Sequence, residues 1–348
     1  MARSRADVFS QAERLERTLR REGTDRPPVI CPGGMMNAAI IEVMEKGGHT
    51  LPEAHHSGGL MAALAEDVAL YTGFENFGLP FCMTVEPEAL GAPVDYGSLT
   101  CEPKIERENF ARAGEALFLE KGAIARSGRG GEALAAISIL ARKHPDIPVI
   151  GSITGPVSTA ASLVQQAAFF GDLYRDREAS HRLLSYVTDQ LVDWALLLAE
   201  SGASVISIAD PTATGEILGP RLFQEYALAY INMIVDAVHG AGKPVIVHIC
   251  GDVKPVKKHL FNLRGDALSV DAMVNLADIK NENGDVTTMG NLSTYLLESG
   301  SPEKISRAAR TLLERKIDII APACGLSTSS PLENIQSFTA AVKDARLG

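Results

Sequence analysis

The sequence predicts an α/β fold of the (β/α)8 TIM-barrel type, built as one domain spanning 1–348 with an early insertion. Three observations predict it. Short β-branched runs occur eight times, helix-length stretches separate them, and no internal repeat, low-complexity tract or linker interrupts the series. A length of 348 residues suits one such barrel, although two domains also fit it. An open doubly wound sheet is the alternative arrangement of the same alternation.

The N-terminal helix is expected at about 5–22, with Val8, Ala12, Leu15 and Leu19 on one face and Gly23 as the stop. The strands follow as Pro28–Cys31, Leu79–Val85, Ile147–Ile153, Ala203–Ala209, Pro244–Cys250, Ala267–Asp271, Val286–Gly290 and Ile317–Ala321. Amphipathic helical patterns cover 176–200, 221–239 and 302–314. The stretch at about 92–130 mixes Pro, Gly and charge without a period, and is expected to be an insertion with an extra hairpin.

Composition narrows the function classes. The chain is 46% hydrophobic and 22% charged, an ordinary globular balance rather than a disordered one. Its formal charge of −10 disfavours coating nucleic acid, and 5% aromatic residues with one Trp disfavour base stacking. No run of about 18 apolar residues exists to span a bilayer, so no membrane role is expected. Asp7, Glu13, Glu16 and Glu22 are interleaved with the early arginines, which argues against a transit peptide and for a cytoplasmic protein. The five cysteines (31, 82, 101, 250 and 324) form no dense framework. In a reducing compartment they are packing groups, catalytic groups or metal ligands.

Active sites of such barrels lie at the C-terminal strand ends. There the sequence places Cys31, Asn37, Cys82, Glu86, Thr154, Asp210, His248, Cys250, Asp271, Asn291 and Cys324. His248 and Cys250 stand two apart on one strand and therefore share a face, and Gly251 turns the chain after them. Cys324-Gly325 follows the last strand on the same rim. One imidazole and two thiolates suit Zn2+ and leave a position open for substrate, with Asp271 available as a fourth ligand. The competing reading makes His248 a core histidine, Cys250 and Cys324 packing groups, and Asp271 a capping acid. Residue pattern alone leaves both readings open. Asp210 has a similar alternative, as the residue that stabilises the turn before Pro211. Met35-Met36 reads either as packing or as a soft contact to a macrocycle.

These motifs resemble the uroporphyrinogen decarboxylase superfamily, and within it the zinc-dependent methylcobamide:coenzyme M methyltransferase branch. The likeness rests on Pro52-Glu53-Ala54-His55, Leu79–Val85, Glu88-Ala89-Leu90-Gly91, Gly155-Pro156-Val157, Ala209–Ala213, His248–Val253, Leu268–Asp271, Gly290-Asn291, Cys324-Gly325 and Pro331–Ile335. It implies zinc held by His248, Cys250 and Cys324. It also implies methyl transfer from a methylated corrinoid, carried by a partner corrinoid protein, to a zinc-activated thiol such as coenzyme M. Two thiolates on the metal keep a bound substrate sulfur nucleophilic, which favours sulfur methylation over hydrolysis. Asn37, Cys82, Glu86, Asp210 and Asn291 are expected to face substrate or corrinoid. The reverse half-reaction, demethylation of an O- or N-methyl donor onto the corrinoid, would use the same ligands. Porphyrinogen decarboxylation is a more distant alternative, because Cys31–Asn37 lacks the arginine that decarboxylases carry after the first strand. Asp271 and the Gly-Gly-Met-Met-Asn loop also differ from the coenzyme M enzymes, which place Glu and a Thr/Gln-rich segment there.

Overall fold

The computed structural model describes residues 7–345. Seven strands form one parallel sheet: β1 (Phe77–Leu79), then β4 (Val149–Thr154) through β9 (Ile319–Pro322), following the intervening hairpin strands β2 (Val94–Asp95) and β3 (Lys104–Ile105). Between β4 and β9 lie β5 (Val205–Ala209), β6 (Val245–Ile249), β7 (Ala267–Val270) and β8 (Thr287–Leu292). Spatial order follows chain order apart from the hairpin, as a barrel requires.

The eighth place is taken by the segment around Val29, which makes a parallel bridge to Ile320. Ile30 N–H donates to Ile320 O at 3.0 Å, and on the other side Glu75 N–H donates to Val29 O at 2.9 Å. Beyond that, the Asn76 side chain replaces backbone rungs. It accepts from Cys31 N–H and donates to Cys31 O, both at 2.9 Å. The first expected strand is thus a ring-closing bridge rather than a full strand. The second is also corrected: β1 ends at Leu79, before Pro80, and Val85 begins a helix, Val85–Ala89. Proline has no N–H to continue a ladder, which accounts for the early exit.

At the opposite end of the barrel, the helix Gln11–Leu19 is seated by a buried ion network. Val8 lies before this helix and is 70% exposed, so it does not belong to the apolar face formed by Leu15 and Leu19. Residues 5 and 6 of the expected span fall outside the described residues. Arg14 donates to Asp25 Oδ1 at 2.7 Å and to Glu75 Oε1 at 3.2 Å, and Arg26 donates to Glu75 Oε1 at 2.6 Å. Glu75 Oε2 also accepts from Val29 N–H at 3.0 Å, which ties the network to the ring-closing segment. The stretch 92–130 contains the β2–β3 hairpin, a 3-10 turn (Ala113–Glu115) and the short helix Ala123–Arg126. No helix among the described residues is long and apolar enough to cross a membrane.

Removing the Glu75 charge takes from two buried guanidinium groups a shared carboxylate, leaving Arg14 with Asp7 and Asp25 and Arg26 with Asp7 alone. Glu75→Gln is expected to lower unfolding free energy by about 3–5 kcal/mol. Denaturant titration measures it, and a loss below about 1 kcal/mol contradicts the assignment.

Candidate metal centre

The parallel register of β6 and β7 pairs His248 with Ser269 and Ile249 with Val270. The next residues along, Cys250 and Asp271, therefore leave the sheet side by side. His248 is fully buried, and its Nδ1 lies 2.9 Å from Ser269 Oγ. Its other ring nitrogen, Nε2, is buried without a hydrogen-bond partner. A buried polar atom with no partner costs about 1–3 kcal/mol, so an empty acceptor here calls for a ligand.

Cys324, two residues past β9, completes the group. Its sulfur lies 3.5 Å from that of Cys250, too far for a disulfide and suitable for two ligands on one ion. The donor atoms of His248, Cys250 and Cys324 all lie within 4.8 Å of one another. The two sulfurs are within hydrogen-bonding distance of each other. Donation toward Cys324 and burial push the Cys250 thiol up, and the same bond pulls Cys324 down. Gly251, with φ +72°, makes the turn after Cys250, where a Cβ would press on the Thr214 hydroxyl at 2.9 Å. Asp271 Oδ2 is 3.5 Å from Cys250 Sγ, while its Oδ1 accepts from Met273 N–H at 3.1 Å. Asp271 therefore borders the three-donor group. The donor set, with one free imidazole nitrogen and two thiols, fits a soft divalent cation such as zinc.

Several rim residues have other work. Asp210 is fully buried: Val157 N–H donates to Oδ2 at 3.0 Å, and Ser158 donates its N–H and hydroxyl to Oδ1 at 2.9 and 2.6 Å. It caps the helix Pro156–Leu163. Burial pushes its pKa up to about 6, against the pull of the Ser158 hydroxyl and the backbone donors. Glu86, equally buried, accepts from Thr154 N–H and hydroxyl, each at 3.0 Å, and burial raises its carboxyl. It too faces the framework rather than the mouth. Asn291 donates to Asp271 O and Val274 O at 2.9 and 2.8 Å, so it holds the loop that bears Asp271. The Cys31 thiol donates to Met36 O at 2.8 Å and is pushed up by burial, the signature of a packing thiol. Neither Cys31 nor Cys82 joins the three-donor group.

Cys82 instead meets Arg129, a buried residue without a local sequence signal, whose Nη1 approaches its sulfur at 3.4 Å. Arg129 is further engaged by Glu88 and by Thr84 Oγ1, the latter at 2.9 Å. Asn37 donates to Glu102 Oε1 at 2.7 Å, linking the first loop to the insertion. A cavity of 480 Å³ opens above Cys324 and includes Met35, Glu102, Asp271, Tyr295 and Glu298 in its walls. Met36, by contrast, is core. Ser269 was legible as the alternate-position neighbour of Asp271 on the same strand. Glu102 and Glu298 had no such signal.

A (β/α)8 barrel with a soft-donor group at its C-terminal rim defines the class. The particular family is settled by sequence: residues 10–345 match the uroporphyrinogen decarboxylase family, and the chain belongs to it. The chain is 32% identical over 338 residues to a methylcobamide:CoM methyltransferase of Methanosarcina acetivorans, covering 97% of this chain and 98% of the relative. A uroporphyrinogen decarboxylase of Pseudoalteromonas translucida is 26% identical over 53% of this chain and 54% of its own length. Among solved structures, a methyltransferase from Methanosarcina mazei superposes with a TM-score of 0.89 at 29% identity, covering 97% of this chain and 99% of that one.

The capping role of Asp210 predicts a stability effect without a metal effect. Asp210→Asn places an amide where two donors point and is expected to cost about 1–3 kcal/mol. Thermal unfolding and metal content measured together check this. Loss of metal at unchanged stability would contradict it.

Proposed function

We propose that this chain is a zinc-dependent corrinoid methyltransferase, which moves a methyl group from a methylated corrinoid on a partner protein to a thiol. The unpartnered Nε2 of buried His248, beside two sulfurs, is the single observation that carries the reading. Full-length similarity to methylcobamide:CoM methyltransferases supports it. In this reading His248, Cys250 and Cys324 would hold the ion, Asp271 beside them would be the fourth ligand, and Ser269 would fix the imidazole through Nδ1. Bound zinc supplies the positive charge that keeps a substrate thiol deprotonated near neutral pH.

The substrate sulfur forms a bond to the methyl carbon as the cobalt–carbon bond breaks. The electron pair of that bond stays on cobalt, which leaves as cobalt(I), and the thiol proton passes to solvent. The protein aligns the two reactants and shields them from water. The barrel strands bring the donors, and the 92–130 insertion forms a wall of the mouth, so the chain acts as one unit. Tyr295 and Met273, 81% and 57% exposed, offer apolar surface beside the mouth of the kind a macrocycle covers.

Metal analysis of the purified protein is expected to give about one zinc per chain. Cys250→Ser and Cys324→Ser should each lose it together with demethylation of methylcobalamin by thiols. Full metal and activity in both variants, or no demethylation with any thiol or tetrahydrofolate, overturns the proposal. Ser269→Ala is expected to weaken zinc affinity about 10- to 100-fold in chelator competition, while the fold stays intact by circular dichroism.

A further inference from the structure

We infer that the acceptor site selects for a thiol whose far end is neutral or cationic, and rejects one with a strongly anionic tail. The inference rests on the methyl-transfer reading and concerns the substrate class of the same site. The cavity over Cys324 is walled by Glu102, Asp271 and Glu298, and no lysine or arginine lines it. A small thiol with its sulfur at the donor group must place its tail among these carboxylates. The cavity reaches the donor group through Cys324, which lines it and whose sulfur lies within 4.8 Å of the unpartnered, fully buried Nε2 of His248.

The nearby cations do not compensate. Arg129, buried at this rim, is already engaged by Glu88, Thr84 and Cys82. Lys254, four residues past Cys250, is exposed and does not line the cavity. The carboxylates are held by the fold rather than free to swing away. Asn37 donates to Glu102, Ser329 Oγ donates to Glu298 Oε1 at 3.0 Å, and Met273 N–H donates to Asp271. At about 7 Å in a largely aqueous dielectric, each carboxylate discriminates about threefold per unit of tail charge. Glu102 and Glu298, the two not assigned to the metal, together give about tenfold against a sulfonate. The relatives named for CoM act on 2-mercaptoethanesulfonate, so on this reading the present chain differs from them in its acceptor.

Three thiols of one length isolate the tail: 2-aminoethanethiol, 2-mercaptoethanol and 2-mercaptoethanesulfonate. Metal-replete protein is titrated with each by calorimetry, and kcat/KM is measured with methylcobalamin. Binding and turnover are expected to favour the alcohol over the sulfonate by about tenfold and the amine over the sulfonate by about a hundredfold. The gap should shrink at least about threefold in the Glu102→Gln/Glu298→Gln double variant, with 2-mercaptoethanol as the reference within each protein. A sulfonate that binds and reacts best in the unmodified protein overturns the inference, as does a gap unchanged in the double variant. If the binding order holds without turnover, charge selection stands and the methyl-transfer reading fails. Absence of binding by all three thiols defeats both.

Discussion

Parallel register is the constraint on which the rim depends. Pairing of Ile249 with Val270 puts Cys250 and Asp271 at the same height, and pairing of His248 with Ser269 gives the imidazole its partner one rung below. In a ladder whose side chains alternate, a slip of one residue would turn His248 and Cys250 outward into the helical layer. Ring closure through Val29 and Ile320 then brings Cys324, from the far edge of the same sheet, within reach of both. A donor group assembled from two strand ends 74 residues apart (324 − 250) thus depends on the whole ring being closed.

Acidic side chains are spent differently at the two ends of the barrel and within its rim. Glu75 balances two buried arginines below. Asp210 and Glu86 satisfy backbone donors where strands hand over to helices. Only Asp271, among the rim acids expected from sequence, stays beside the soft donors. Burial raises Asp210 and Glu86, yet both are consumed by neighbours that need an acceptor. A perturbed carboxylate at a strand end is therefore not, by itself, evidence of catalysis.

Much of this was legible in the chain. Strand alternation placed His248 and Cys250 on one face, and the barrel count placed Cys324 on the same rim. What the sequence could not disclose were partners set by tertiary packing. Asp210 and Glu86 carried the chemistry of active-site acids, and only the helix start at Pro156 and the Thr154 rung reveal their employment. The first strand was read correctly in position but not in form, because the rungs beyond Val29 come from the Asn76 side chain. Arg14 and Arg26 carried no signal of burial. Both meet Glu75, 61 and 49 residues away, and no local period encodes that.

The hairpin of β2 and β3 belongs to none of the eight units, yet it contributes Glu102 to the mouth and meets the loop after β9 where Thr328 donates to Thr100 O. The donors and the wall of the mouth thus answer to different demands. The donors are pinned by sheet geometry and tolerate little change. The part of the wall that bears Glu102 hangs from a two-residue ladder and a few side-chain contacts, and can alter its length and charge without moving a barrel strand. One barrel can in this way keep its rim donors in place while one wall of its mouth changes with a single loop.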